Sequence, residues 1–203
     1  FNYGGVNYQF QGGDVIYEDI NHDGNIDELD IVYLGGSNPK ITGGFGFDVV
    51  YSRWRLTANF NYRIGNKIIN MARMRAEDMR TNVNQCSSVS HRWRKNGDDT
   101  MIPRAMSSRA GTSYNALVSD RYVEKGDFLR LNNLRLSYNF DPKTLKKLGL
   151  SQLNMSLSGD NLIFWTGYSG LDPEHWAAGY NPCSDGNNTP RYRSITFNLS
   201  VGF

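Results

Sequence analysis

The chain has 203 residues, enough for one domain of ordinary size, with 22 Lys and Arg against 20 Asp and Glu. A net charge of +2 leaves no electrostatic footprint for nucleic acid, and no apolar run approaches the roughly 20 residues of a membrane-spanning helix. Aromatic residues make up 13%, Tyr alone counting 12, yet mean hydropathy is below zero. That combination suits a transmembrane barrel, with its lipid face, wet lumen and aromatic girdles, better than a soluble domain.

The chain opens Phe1-Asn-Tyr-Gly-Gly, with no initiator Met and no signal peptide, and reads as a fragment or a processed product. Within residues 1–40, an extended outer segment, the run Asp19-Ile-Asn21-His-Asp23-Gly24-Asn25-Ile-Asp27-Glu-Leu-Asp30 matches the EF-hand calcium loop. Oxygen donors stand at its positions 1, 3, 5, 9 and 12, with glycine at 6. Calcium takes six to eight hard oxygen ligands, and alternating Asp and Asn in a tight loop converge on one point. Asn25 would give its backbone carbonyl, and Asp30 reaches less far than the usual Glu. No helix pattern flanks the loop, so a structural ion is expected rather than an opening sensor. The competing reading is a polar turn without metal.

Strand-like alternation begins at Lys40. Over 41–51, Phe45, Phe47, Val49 and Tyr51 alternate with Gly44, Gly46 and Asp48. Over 53–64, Trp54, Leu56, Ala58, Phe60, Tyr62 and Ile64 alternate with Arg53, Arg55, Thr57, Asn59, Asn61 and Arg63. Three arginines on one face are costly in lipid, so that face must see water. Gly65–Asp127 is a loop of about sixty residues, Arg-rich over Met71–Arg109 and containing Trp93 and Cys86. Over 128–140, Leu134, Leu136, Tyr138 and Phe140 keep one phase while Leu129 and Leu131 keep the other. A bulge is expected near Asn132-Asn133. A modest turn, Asp141–Ser151, leads to alternation over 152–165 and then to a second long loop, 166–192. Trp93, Trp165, Trp176 and Tyr180 could stack on ligand or pack against a partner, and packing is the commoner role for such rings. Asp172 and Glu174 flank Pro173 and read as loop carboxylates. Cys86 and Cys183 are either a disulfide, permitted outside the cell, or two thiols, and neither has zinc-ligand neighbours. The final stretch, 193–203, sets Ile195, Phe197, Leu199, Val201 and Phe203 against Ser194, Thr196, Asn198, Ser200 and Gly202.

The pattern predicts an all-β transmembrane antiparallel barrel whose strands are joined alternately by short turns and long loops, as in bacterial barrels. With the C-terminus periplasmic, every long segment falls outside the cell and every short turn inside. Five strands, an odd number, cannot close, so further strands, a plug and N-terminal domains are expected outside this chain. No catalytic constellation is present, so a non-enzyme is expected.

Several ordered segments resemble a known family. They are Gly13-Asp14-Val15 with the Asp-rich loop; Ser119-Asp-Arg-Tyr-Val-Glu124; Gly126-Asp-Phe-Leu-Arg-Leu-Asn-Asn-Leu134; Ser158-Gly-Asp-Asn-Leu-Ile163; Tyr168-Ser-Gly-Leu-Asp-Pro-Glu174; and the aromatic last strand. Together they are similar to the C-terminal barrel portion of the SusC/RagA-type TonB-dependent outer-membrane transporters of Bacteroidetes. The resemblance implies a barrel of about 22 strands with a plug. It implies energy from the TonB complex through a separate N-terminal part, a SusD-like lipoprotein as a lid, and outer-membrane lipid around the barrel. Phe203 would then be the signal read by the barrel-assembly machinery. The expected activity is import of oligosaccharides or oligopeptides, with the calcium loop shaping a surface that faces the lipoprotein. The alternative is a non-transporting scaffold in a surface-lipoprotein or outer-membrane assembly complex.

Overall fold

The computed structural model describes residues 2–3, 6–106, 114–174 and 184–203. In chain order the elements are β1 (Asn2–Tyr3), β2 (Val6–Asn7), β3 (Ile41–Tyr51), β4 (Trp54–Ile64), β5 (Lys67–Asn70), α1 (Met71–Glu77), β6 (Val123–Lys125), β7 (Phe128–Asn139), α2 (Pro142–Leu148), β8 (Gln152–Thr166), β9 (Ser184–Asp185) and β10 (Ser194–Gly202). Short 3-10 turns punctuate the loops. Among the described residues no helix is long and apolar enough to cross a membrane.

Five long strands form one antiparallel sheet in the order β10-β8-β7-β4-β3. Its two faces follow directly from the period-2 alternation of the sequence. One cross-strand row reads Val49, Leu56, Leu136, Leu157, Phe197. The row beside it, on the opposite face, reads Asp48, Thr57, Arg135, Ser158, Thr196. Val49, Leu136, Leu157 and Phe197 are each 40% or more exposed, although they make the most apolar row of the wall. In water such a face would be an aggregation surface; in a barrel wall it meets lipid. Ring stacking adds to it: Phe45 and Phe60 are parallel with centroids 4.9 Å apart.

The phase slip in β7 is a bulge at Asn132. Asn59 faces Asn133 and Phe60 faces Leu131, so Asn132 is the extra residue. On the other side β8 answers with Asn161 at φ 52°, and Leu131 pairs Ile163 while Asn133 pairs Asp160. The bulge keeps Leu129 and Leu131 on the same apolar face as Leu134 and Leu136, despite their opposite parity. It also turns Phe128 and Arg130 to the polar face, opposite Arg63 and Asn61.

By contact density the chain forms two compact units. One comprises Phe1–Gly35, Ile69–Glu124 and Ser184–Asn187; the other, Gly36–Ile68, Lys125–Cys183 and Asn188–Phe203, holds the five-stranded wall. In the first unit α1 is capped by Asn70, whose side chain accepts from the Arg73 N–H at 2.8 Å. There β9 runs parallel to β5, with Ile69 opposite Ser184 and Asn70 opposite Asp185.

Candidate functional site

In the Asp/Asn loop, Asp19 accepts from the N–H groups of Gly24 (2.8 Å) and Asp23 (3.3 Å). Asn21 accepts from Asp23 N–H at 3.0 Å, and Asp23 from Asn25 N–H at 2.9 Å. Asp27 caps the turn at Glu28–Asp30 through Leu29 N–H at 2.8 Å. Asp30 closes the ring, accepting from Ile20 N–H and Asp27 N–H, both at 2.8 Å. Those bonds from Asp27 and Ile20 hold the Asp30 carboxyl below the usual carboxylate range. Gly24 sits at φ +81° with open space around it, so the backbone conformation and not crowding demands glycine. The side chains are turned onto the loop's own amides, and no group of three or more acidic, His or Cys side chains converges as a metal-holding cluster among the described residues. The donor set is nevertheless of hard oxygens, each retaining a lone pair.

The same unit has two buried ion-pair centres. Asp14, in the Gly-Gly-Asp segment, receives Arg104 Nε at 2.6 Å, Tyr8 Oη at 2.7 Å and Asn115 Nδ2 at 3.1 Å. The Trp93 ring lies against Gly12 and Gly13; a Cβ at Gly13, which has φ +85°, would come within 2.3 Å of it. Trp93 is therefore committed to packing. Glu77 is held by Arg121 Nη2 at 2.6 Å and Arg73 Nε at 3.0 Å. Burial pushes the Glu77 carboxyl up, but the hydrogen bonds of Arg121 and Arg73 outweigh it and leave it below the usual carboxylate range. Burial of Asp14 is outweighed in the same way by Arg104 and Tyr8. Carboxylates depressed by folding stabilise above the unfolded value of about 4, and that stability is lost as pH falls through the folded values. Hydrogen exchange in residues 69–106 is therefore expected to accelerate, relative to its intrinsic rate, between pH 5 and 3, less so in Glu77→Gln. Protection equal at pH 6 and pH 3 would contradict this.

In the wall unit, the polar face of β7 carries a denser centre. Arg130 is 2% exposed, its guanidinium carbon 5.1 Å from the Phe164 ring centroid and 5.7 Å from that of Phe128. Its Nη2 donates to Asp172 at 2.6 Å, and its Nε stands 3.1 Å from Glu174 Oε2, an ion pair without hydrogen-bond alignment. The other Glu174 oxygen accepts from Asn61 Nδ2 and Arg191 Nη2, each at 3.1 Å. Arg191 N–H reaches Asp172 at 3.3 Å. The Asp172-Pro173-Glu174 segment is thereby drawn from the end of β8 across β7 to β4. The two acids are loop carboxylates, as the sequence reads them, and are also the structural partners of Arg130, Asp172 buried and Glu174 half-buried. The available signal was an arginine inside the otherwise apolar run Phe128-Leu129-Arg130-Leu131.

Other predicted residues are placed as follows. Trp165 stands on the apolar face of β8 opposite Leu129, 50% exposed, in the position of an interfacial aromatic. Phe203 is exposed, its carbonyl accepting from Ser151 Oγ at 3.3 Å. Cys86 carries a free thiol 2.8 Å from Ser88 Oγ. Trp176, Tyr180 and Cys183 lie outside the described residues.

No family model matches the chain. It is 32% identical to TonB-dependent receptor P39 of Formosa agariphila over 98% of its length, and 31% identical to receptor P26 of that organism over 94%. It spans about a fifth of the length of the curated relatives it matches. Among solved structures it is similar to the RagAB peptide importer in its closed-closed state, with a TM-score of 0.70 and 25% identity over 84% of this chain and 18% of that one. The open-open state gives a TM-score of 0.67 and 26% identity over 82% and 17%. An amphipathic five-stranded wall, the ordered segments that decorate it, and these likenesses together mean that the chain belongs to the TonB-dependent receptors of SusC/RagA type, as part of their outer-membrane β-barrel.

Proposed function

We propose that the protein of which this chain is part imports oligosaccharides or oligopeptides across the outer membrane, driven by TonB and assisted by a SusD-like surface lipoprotein. The observation that carries this is the likeness of the wall and its loops to a peptide importer over 84% of the chain. The long loops face outward and the short turns face the periplasm, in keeping with the alternation of connection lengths. Deleting the gene and following labelled glycans and peptides tests the reading. Loss of uptake of one class, restored by the wild-type gene only in a TonB-competent strain, is expected. Unchanged uptake of every glycan and peptide would overturn it.

The loop Asp19–Asp30 holds one structural calcium ion in this reading, through Asp19, Asn21, Asp23, the Asn25 carbonyl, Asp27 and Asp30. Support comes from the hard-oxygen spacing and from the closure of the loop ends by Asp30. The ion would shape the surface that meets the lipoprotein. Calorimetry of the whole receptor with calcium is expected to show one site, abolished in Asp19→Ala/Asp23→Ala, with lipoprotein affinity falling about ten-fold, or roughly 1.4 kcal/mol. No heat of binding in the wild type would remove the ion from the account; unchanged lipoprotein affinity would remove its role at the interface.

A further inference from the structure

The turn between β7 and β8 carries a cationic surface apart from the ion-pair centres described above. Its helix α2 is fixed at both ends. The Asp141 side chain accepts from Thr144 N–H at 2.8 Å, and Gly149 at φ 69° ends the helix, with Gly149 N–H bonded to Lys146 O at 3.4 Å and Leu150 N–H to Leu145 O at 3.0 Å. Both stems are tied to the wall, through Phe140 N–H to Leu153 O (3.1 Å) and Ser151 N–H to Gly202 O (2.9 Å).

Helical spacing puts Lys143, Lys146 and Lys147 on one face and Leu145 and Leu148 on the other. All three lysines are exposed, and none forms an ion pair among the described residues. The acid at the helix start, Asp141, is taken by Arg53 at 3.0 Å. Leu148, on the opposite face, is 58% exposed. The wall next to α2 ends in an aromatic group. Tyr51, Trp54 and Tyr138 share one cross-strand row, with Trp54 and Tyr138 centroids 4.7 Å apart and Phe140 4.9 Å from Tyr138. Such rings mark the boundary between hydrocarbon and headgroups. The helix begins two residues beyond Phe140, just past these rings.

We propose that α2 is a binding surface for anionic glycerophospholipid headgroups. Lys143, Lys146 and Lys147 meet the phosphates, and Leu148 dips into the acyl boundary. The surface continues the lipid-facing wall, and its charge is complementary to the headgroup. The proposal rests on the topology above, which turns α2 toward the periplasmic leaflet. Native mass spectrometry of the whole receptor, titrated with cardiolipin or with phosphatidylethanolamine, tests it. The variant Lys143→Gln/Lys146→Gln/Lys147→Gln is expected to lose cardiolipin affinity by about ten-fold or more while phosphatidylethanolamine binding is unchanged. Equal cardiolipin binding by both proteins would overturn the proposal. So would a photo-reactive residue at position 147 that captures an acidic protein and no lipid in cells. An epitope tag inserted after Gly149 and reached by antibody on intact cells would overturn the proposal through its topology, whereas a failed lipid titration with the tag inaccessible would overturn it through the surface itself.

Discussion

Arg130→Met is expected to lower the unfolding free energy of the receptor by about 3–5 kcal/mol, the range for breaking a buried ion pair by removing one partner. The Arg130 and Asp172 side chains are 3% and 7% exposed, so solvent does little to relieve the carboxylates left behind. Methionine replaces the stem, not the charge: Asp172 loses its buried ion pair, and Glu174 keeps only the half-exposed Arg191. Adding Asp172→Asn and Glu174→Gln to Arg130→Met should recover a large part of the loss, because the cost lies in the stranded charges. Lysine should not rescue, since a single ammonium cannot reach both acids as the planar fork does. Urea unfolding of the purified receptor, followed by tryptophan fluorescence, measures all of these. A single variant within about 1 kcal/mol of the wild type would mean the network is decorative.

The second large effect concerns the wall itself. Leu157→Arg should destabilise by about 2–4 kcal/mol, the cost of a cation on the lipid face near the bilayer midplane. Leu157 is the fourth member of the five-strand row, between Leu136 and Phe197. Thr196→Arg lies one row away on the polar face and should change stability by no more than about 0.5 kcal/mol. The contrast separates the apolar face of the wall from the face that sees water. Heat-modified mobility and unfolding in lipid vesicles read both variants. Equal effects from the two arginines would remove the assignment of the faces.

Much of this architecture was legible in the residues. Alternation of the kind Ile195-Thr-Phe-Asn-Leu specifies a strand with unlike faces, because successive side chains leave a strand on opposite sides. The slip between Leu131 and Leu134 announced a bulge, because only an extra residue can keep both on one face. The Asp-rich loop was legible too, since Asx turns are built from neighbours. What stayed hidden depends on distance along the chain. Arg130 and Asp172 are 42 residues apart and Asn61 and Glu174 are 113 apart, and no local pattern says that they meet. Trp93 packs on Gly13, 80 positions earlier, a partner that no local pattern names.

The sequence by itself therefore determined the strands, their faces and the order of the segments that carry the family likeness. These are properties of residues near one another, written by periodicity and turn chemistry. Only the tertiary structure decided which charges are buried and paired. It drew Asp172 and Glu174 back over the wall onto Arg130, and it left the lysines of α2 without acids among the described residues. Burial and pairing are set by which distant segments the fold brings together, and that choice is made by the whole chain at once.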